Sequence, residues 1–423
     1  MKKRGMAVTL LLCLLFHTAA LAEGNKQTLH FAWWGNAEMI QTTQAAVDEF
    51  VKARRRTVAV DPHAVGTRDA YVEWLSGQFN AGAPGDVVEL DAEMFRTLAR
   101  NANGSSRLMD LEIFVKRLDL TQFSYFGLIS CLIDDRVCAI PISMSSHVFF
   151  WNTTALKERK VSMPENNAEL LTLAASLRDH GMYPLAASAE SRIALLITWL
   201  QSKYGQPWIS QATGEVSFMG EQVAEGLRYL DLFEKGGVWP KLAEQGNLLH
   251  GWREGRYAGV WAWDTQAAEL NAVLPADAKM ETTARLLNWS PYGGGFQRVN
   301  RMLAIPKSAR EPLLAAEFIE FLLNSEKGAV ELKDLRGTPI SRKGAYNGTK
   351  KRALNRAQTV ANETALSWAR YLMPPGFDAP GLVGAGGVYE QVLTGYSAGL
   401  MTDEAAAYAL ISGIHAVLHE DRR

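Results

Sequence analysis

The chain has 423 residues, of which 48% are hydrophobic and 21% charged, with 44 basic side chains against 45 acidic ones. This composition is typical of a globular protein and excludes both intrinsic disorder and a bundle of membrane helices. The balanced charge excludes a protein that coats nucleic acid, which would need a basic excess. The length favours about two or three domains, and the 12 tryptophans favour a stacking surface.

The first residues have the pattern of a secretory signal peptide. A basic head over residues 1–4 precedes an apolar run over residues 6–15, and Ala20 and Ala22 supply small side chains for cleavage. The run is too short to span a bilayer, and no later stretch reaches about 18 uninterrupted apolar residues. Cleavage after Ala22 therefore predicts an exported, periplasmic protein; the alternative is an ordinary buried N-terminal helix.

Two cysteines remain after this cleavage, Cys131 and Cys138, on either side of Asp134 and Asp135. If the two aspartates form a two-residue hairpin turn, the cysteines lie directly opposite each other. In an oxidising compartment this predicts a disulfide, which stabilises the fold by about 2 kcal/mol. Two free buried thiols are the alternative. A zinc site is not expected, because no histidine is near the pair.

Strands and helices alternate in the N-terminal part of the chain. Strands are predicted over residues 29–33, 57–65 and 86–91, and amphipathic helices over residues 37–53 and 69–80. This order predicts a parallel sheet with helical crossovers. Mixed α/β segments continue over residues 148–152, 166–179 and 194–204, long helices over residues 221–235 and 312–333, and a helix-rich region beyond Lys350. We therefore predict two α/β lobes, with the chain crossing between them more than once.

Two adjacent tryptophans, Trp33 and Trp34, end the first predicted strand. Ligands of open α/β sheets bind beyond the carboxyl ends of the strands. Because successive side chains of a strand point to opposite faces, the two indoles cannot point into the same core. We expect at least one of them to be exposed or to cover a ligand; the alternative is a pair that packs at the rim of the core.

The opening segment and five further motifs resemble, in order, those of bacterial extracellular solute-binding proteins of family 1, the carbohydrate receptors of ABC importers. The opening is FAWWGNAEMIQTTQAAVDEF, and the others are DVVELD, VCAIPISMSS with FWN, GWREGRYAGVW, AAEFIEFLLN and RGTPIS, between residues 86 and 341. The last motif resembles the oligogalacturonide-binding branch. Residues 164–167 lack the family's Thr-Trp pair, and residues 54–56 replace a proline-containing segment, which weakens the assignment of the sugar.

The resemblance implies a two-lobed periplasmic-binding fold of type II, each lobe a mixed sheet flanked by helices, with a ligand cleft between the lobes. It implies a monomeric, non-catalytic receptor without a cofactor that delivers a sugar, or an oligosaccharide, to an inner-membrane ABC permease. The expected N-terminal lobe comprises residues 23–140 and 290–345. The expected C-terminal lobe comprises residues 141–289 and 346–423.

A pyranose presents apolar faces and a rim of hydroxyls, so its site needs aromatic platforms and planar polar groups. The predicted platforms are Trp33, Trp34, Trp151, Trp263 and Tyr292. The predicted polar contacts are Asn36, Asp91, Ser143, Ser145, Asp264 and Gln297. Arg68 and Arg298 are further candidates to bind a uronate carboxylate, although an isolated arginine is usually solvated surface.

No catalytic or metal motif competes with this interpretation. The sequence has no G-x-S-x-G or H-E-x-x-H motif. His30, His147 and His250 are interpreted as structural, and no metal site is expected. Two alternatives stay open: a receptor of the same fold for a non-sugar solute, such as a polyol, phosphodiester or peptide, and a secreted glycan-cleaving enzyme. The carboxylate pair of such an enzyme would be recognisable only in three dimensions.

Overall fold

The computed structural model describes residues 26–210, 214–287 and 294–420. The predicted signal peptide and the predicted ligand contact Tyr292 lie outside these ranges. Within them, no helix combines the length and the apolar character needed to cross a membrane.

Strands are distributed along most of the described chain. They are β1 (Gln27–Trp34), β2 (Val58–Val65), β3 (Val87–Leu90), β4 (Leu132–Ile133), β5 (Arg136–Val137), β6 (Ile140–Asn152), β7 (Tyr183–Ala186), β8 (Tyr257–Trp263), β9 (Met280–Thr283), β10 (Phe296–Ala304) and β11 (Tyr371–Leu372).

Helices separate most of these strands and dominate the C-terminal region. They are α1 (Ala37–Ala53), α2 (Arg68–Ala81), α3 (Ala92–Leu98), α4 (Tyr125–Ile129), α5 (Thr153–Glu158), α6 (Asn167–Arg178), α7 (Ala189–Tyr204), α8 (Gly220–Lys235), α9 (Leu242–Gln245), α10 (Leu248–Arg253), α11 (Ala267–Ala272), α12 (Pro312–Asn324), α13 (Glu326–Leu332), α14 (Arg342–Lys350), α15 (Arg356–Trp368), α16 (Val388–Ser397) and α17 (Asp403–Glu420). Short 3₁₀ turns cover Leu111–Phe114, Leu120–Gln122, Asp264–Gln266 and Arg285–Leu287.

One mixed sheet connects both lobes, in the order β2-β1-β3-β10-β6-β8-β7, with β11 beside β10 and β9 beside β6. Strand β1 pairs in parallel with β2 and β3, as the predicted helical crossovers require. The 13-residue strand β6 is shared: its first half pairs with β10, and its second half pairs with β8 and β9. The two lobes are therefore joined by continuous strands, as a two-lobed α/β fold predicts.

Helices cover both faces of the N-terminal part of this sheet. Leu29, Phe31 and Trp33 of β1 lie in one hydrophobic core, whereas Ala32 and Trp34 lie in a second core on the other face. The alternation of side chains therefore sends the two adjacent indoles to opposite faces, as predicted. Because both faces are covered, neither indole is left open to solvent.

The predicted elements agree with the structure except in one long helix. The helix predicted over residues 312–333 is divided into α12 and α13 at Ser325. Ser325 has extended backbone angles, and its hydroxyl accepts a hydrogen bond from the Gly328 N–H at 2.9 Å. A short polar side chain of this kind satisfies a free N–H group at the start of a helix, so it favours a new helix start over continuation.

The β4–β5 hairpin forms around Asp134 and Asp135, whose φ angles of 51° and 59° are those of the predicted two-residue turn. Cys131 and Cys138 follow as the next opposing pair, and the Cys138 N–H donates to the Cys131 carbonyl at 2.9 Å. Both are free, buried thiols in the structure, not the predicted disulfide. Burial raises the pKa of both thiols.

Candidate functional site

A cleft between the lobes contains two neighbouring cavities of about 630 and 610 Å³. The cavities share a floor formed by Ala92, Glu93, Arg298, Val299 and Asp378. The walls come from the carboxyl ends of β1 and β3, from β10, and from the loops around residues 334–337 and 371–378. The cleft therefore lies at the strand ends, where open α/β sheets bind their ligands.

Arginine dominates the charged lining of the cleft. Among the described residues, seven arginines and four acidic residues line the two cavities. The arginines are Arg68, Arg96, Arg100, Arg298, Arg301, Arg336 and Arg370, and the acidic residues are Asp91, Glu93, Asp334 and Asp378. Glu89 and Asp134 lie outside the lining but pair with three of these arginines, so the arginines exceed the carboxylates by one. This positive excess favours an anionic ligand.

Beneath the cleft, two guanidinium groups share one carboxylate. Both oxygens of Glu89 accept hydrogen bonds from Arg336 at 2.9–3.0 Å, and Oε1 also accepts from Arg301 at 3.0 Å. The side chains of Glu89 and Arg336 are 1% and 3% exposed. A buried charge is tolerated only when it is paired, so the single carboxylate leaves one positive charge in excess.

The remaining hydrogen-bond donors of Arg336 show the same imbalance. Its Nη2 donates to the Thr43 hydroxyl at 2.9 Å, whereas its buried Nη1 has no hydrogen-bond partner among the described residues. Burial also lowers the pKa of Arg301, and the neighbouring Glu89 carboxylate opposes that shift. The cluster of Glu89, Arg301 and Arg336 beneath the cleft therefore has one positive charge in excess, and one nitrogen donor without a partner in the described part of the chain.

Two of the cleft arginines lie on tryptophan rings. The Arg301 guanidinium carbon is 3.5 Å from the Trp34 ring centroid, and that of Arg298 is 3.8 Å from the Trp263 centroid. Each indole also contacts a second ring: Tyr71 stacks on Trp34 at 4.9 Å, and His147 lies 3.9 Å from Trp263. These cation–π contacts fix the direction of each guanidinium.

Polar contacts also hold Arg298 and a further cleft arginine, Arg68. Arg298 lies 3.4 Å from the Asp378 carboxylate and donates to Asn300 at 3.2 Å. Burial raises the pKa of Asp378, and the charge of Arg298 opposes that shift. At the other wall, Arg68 donates to both oxygens of Asp91 at 2.6 and 3.3 Å.

The structure brings some of the predicted ligand contacts together. Trp34, Asp91 and Gln297 line the cleft. Trp263 does not line it but contacts Arg298, which does. Asp91 also caps α3, since its carboxylate accepts from the Met94 N–H at 2.8 Å.

Other predicted contacts do not face the cleft. Trp33 and Trp151 are completely buried, Trp33 in the N-terminal core and Trp151 in the C-terminal one. Their predicted role as sugar platforms is therefore wrong. A strand covered by helices on both faces buries its aromatic side chains whichever way they point, which the sequence pattern alone did not reveal.

The polar residues Asn36, Ser143 and Ser145 are also corrected. Asn36 is the exposed N-cap of α1, and its side chain accepts from the Met39 N–H at 2.9 Å. Ser143 and Ser145 are fully buried on β6, beside β10. The Ser143 hydroxyl donates to the Arg336 carbonyl, and that of Ser145 donates to Asn300 at 2.6 Å. The two serines position cleft residues instead of contacting a ligand directly.

Asp264 is completely buried and connects strand β6 to helix α15 instead of facing the cleft. Its carboxylate accepts from the Ser146 N–H on β6 at 3.1 Å and from the Asn362 amide on α15 at 2.5 Å. The predicted ligand contact is thus a structural brace. Burial raises the pKa of Asp264 to about 7, against the opposing hydrogen bonds from Asn362 and Ser146.

Sequence analysis missed Arg301, Arg336 and Asp378 as cleft residues. A signal was present for the first, because Arg301 and Arg298 interrupt the otherwise mostly apolar strand FQRVNRMLA. Arg336 belongs to the RGTPIS motif, which was used only to recognise the family branch. Asp378 lies in a loop distant in sequence, so only the fold brings it to Arg298.

Comparison with known proteins agrees with the fold. A model of the bacterial extracellular solute-binding protein family matches residues 45–360. A periplasmic oligogalacturonide-binding protein from Yersinia enterocolitica is similar at 22% identity and a TM-score of 0.81, covering 94% of this chain and 100% of its own. Its complex with saturated digalacturonic acid gives a TM-score of 0.73 at the same identity and coverage.

A structure described as a de novo designed cysteine esterase is also similar, at 22% identity and a TM-score of 0.84, with 95% of this chain and 100% of that one covered. At such identities these likenesses establish the fold alone. The matching family model is one of solute-binding proteins, not of enzymes.

The shared carboxylate gives a first prediction. Replacing Glu89 by Gln (E89Q) keeps the size of the side chain but leaves Arg301 and Arg336 without a counter-charge. We expect the free energy of unfolding, measured by urea denaturation, to fall by about 3–5 kcal/mol. In the exposed pair of Arg253 and Glu254, E254Q is the matched control and should change stability by less than about 1 kcal/mol. Similar values for both variants would contradict the role given to Glu89.

The brace at Asp264 gives a second prediction. The folded state raises the pKa of Asp264 from 3.8 to about 7. Protonation of Asp264 therefore stabilises the folded state, and this stabilisation is complete at pH values below the pKa of the unfolded chain. This contribution is lost as the pH rises through about 7. The stability advantage of the wild type over D264N should therefore be roughly 2–3 kcal/mol larger at about pH 5 than at about pH 8. Equal differences in unfolding free energy at both pH values would contradict a buried, protonated Asp264.

Proposed function

Because the chain belongs to the bacterial extracellular solute-binding protein family, we propose that it is an exported receptor for an acidic oligosaccharide. The ligand class is a uronate-containing sugar, which the receptor delivers to an ABC permease of the inner membrane. The excess of arginine in the interlobe cleft is the observation that carries this proposal.

A guanidinium matches a carboxylate in shape and charge, since its paired N–H groups can donate to both oxygens at once. In the cleft, Arg298 and Arg301 are already oriented by an indole and by neighbouring acidic groups. Ordering these long side chains before binding reduces the entropy that the ligand would otherwise have to offset. The arrangement supports recognition of carboxylates along a sugar chain.

The tryptophans have a different role in this proposal from the one predicted. Trp34 is only 3% exposed, between the neighbouring Tyr71 ring and Arg301. An indole in contact with a guanidinium cannot offer that area to a pyranose face. Trp34 and Trp263 therefore support the arginines, and the arginines, together with Asp91 and Gln297, contact the ligand.

Closure of the two lobes follows from the crossing strands. Strands β6 and β10 both extend between the lobes, so bending at these strands would narrow the cleft around a bound sugar. We keep the predicted lobe boundaries, near residues 140, 289 and 345, as part of the proposal. A closed monomer would present a surface from both lobes that a permease can distinguish from the open form.

The proposal predicts that charge decides which sugar binds. In calorimetric titrations, digalacturonic acid should bind, whereas maltose, a neutral disaccharide, should give no measurable heat of binding. Equal affinity for the two sugars, or heat only from the neutral one, would contradict the proposed ligand class. Accumulation of reducing ends during incubation with polygalacturonate would instead indicate a glycan-cleaving enzyme.

A pair of variants tests the cleft itself. R298Q removes a charge whose side chain is 22% exposed in the cleft, and the affinity for digalacturonic acid should fall at least about tenfold. R253Q removes an exposed arginine that does not line the cleft and should bind like the wild type. An unchanged affinity of R298Q would exclude this arginine from ligand binding.

Export also bears on the facing cysteines. If the mature chain begins after Ala22, Cys131 and Cys138 are its only thiols, and an oxidising periplasm favours their closure into a disulfide. Thiol titration of denatured, periplasm-purified protein should then find none before reduction and two after it. Two thiols in the unreduced protein would show that the free pair of the structure persists after export.

A further inference from the structure

We infer that the C-terminal lobe carries a second, independent site, a surface site for a zinc-class divalent metal ion formed by Glu215, His415 and His419. Each of these residues offers a ligand atom, and the three atoms lie within 4.8 Å of one another. None of the three lines the interlobe cleft, so the inference does not depend on which sugar binds there.

The helix α17 brings the two histidines together. His415 and His419 are four residues apart, so they project from the same face on successive turns, and their ring centroids are 4.0 Å apart. This spacing places two imidazole ligands on one metal ion, as it does in helical metal motifs. Sequence analysis overlooked this pair when it expected no metal site.

Glu215 reaches the histidines from a different part of the lobe. Its carboxylate lies 3.7 Å from Nε2 of His415, although the residues are far apart in sequence. The loop that carries Glu215 is held by a bridge between Ile209 and Val216 and by a 2.8 Å hydrogen bond from the Ser210 N–H to the Glu215 carbonyl. The cluster therefore combines ligands from two separately anchored segments.

A second observation points to a missing partner at this cluster. Nε2 of His419 is buried and has no hydrogen-bond partner among the described residues. A buried ring nitrogen without a partner is costly, and a metal ion held with Glu215 and His415 would satisfy it. The side chains of His415 and Glu215 are 51% and 57% exposed, so they can turn toward a common ion without disturbing the core.

The donor types define the class of ion. Imidazole nitrogen with one carboxylate suits zinc, copper, nickel and iron, whereas magnesium and calcium prefer oxygen ligands alone. In tetrahedral zinc sites with bonds of about 2.1 Å, ligand atoms are roughly 3.4 Å apart. The ligand atoms, which lie within 4.8 Å of one another, would have to approach to this value when an ion binds, and His415 and Glu215 are the exposed side chains that can turn.

The position of the site indicates what the metal would do. The start of α17 is held to α8 by the ion pair between Arg228 and Asp403, whereas the cluster lies near the other end of the helix. Val216, next to Glu215, forms a bridge with Ile209, and Ile209 lines the cleft. A bound ion would therefore connect the end of α17 to a segment that is paired with the cleft wall.

Calorimetric titration of the mature chain with Zn²⁺, after removal of metals and of any affinity tag, tests the inference. We expect one ion per chain with a dissociation constant below about 10 µM, a raised melting temperature, and no response to Mg²⁺. H415A and H419A should each weaken Zn²⁺ binding at least about tenfold. H180A, which removes an exposed histidine outside the cluster, should bind Zn²⁺ like the wild type.

Because His415 is exposed, H415A removes a ligand without opening a cavity, and it keeps the test valid even if H419A fails to fold. No Zn²⁺ binding, binding weaker than about 1 mM, or equal binding by the wild type and H415A would overturn the inference. Sugar binding by the metal-free protein is a separate measurement, so failure of either site is recognised independently of the other.

Discussion

Two arginines that share one buried carboxylate set the character of the cleft. Glu89 from β3 binds Arg301 from β10 and Arg336 from the loop that follows α13. Both arginines lie more than two hundred residues from Glu89 in sequence, so the charge cluster exists only when β10 and this loop have packed against β3. The same cluster has one positive charge in excess, and the buried Arg336 Nη1 has no partner among the described residues. In our proposal, the interaction that holds β10 and this loop against β3 also prepares a site for an anion.

The tryptophan rings make this charge usable for recognition. A solvated arginine explores many rotamers and loses that freedom on binding, whereas Arg298 and Arg301 already lie against Trp263 and Trp34. In our proposal the indoles support the guanidinium groups, and the polar surface faces the ligand. The abundance of tryptophan led us to predict a stacking surface, whereas Trp34 and Trp263 are buried beside the arginines.

Much of the fold could be predicted from the sequence because it depends on local patterns. Short apolar stretches located β1 to β3, helical periodicity located α1 and α2, and the paired aspartates located the β4–β5 hairpin. The division of the helix at Ser325 was missed, since an apolar stripe continues through a polar residue that caps a new helix. The site was predicted less well. Trp33 and Trp151 looked like platforms by residue type, and only the covering helices show that they are buried.

In the proposed receptor, carboxylates of the ligand meet the indole-supported arginines of the cleft. A crystal structure of the protein with digalacturonic acid would show this contact. We predict a carboxylate oxygen of the sugar within hydrogen-bond distance of Arg298 or Arg301, with each guanidinium still against its indole. A sugar stacked directly on Trp34 or Trp263 with the arginines displaced, or one bound with its carboxylates facing solvent, would contradict the account.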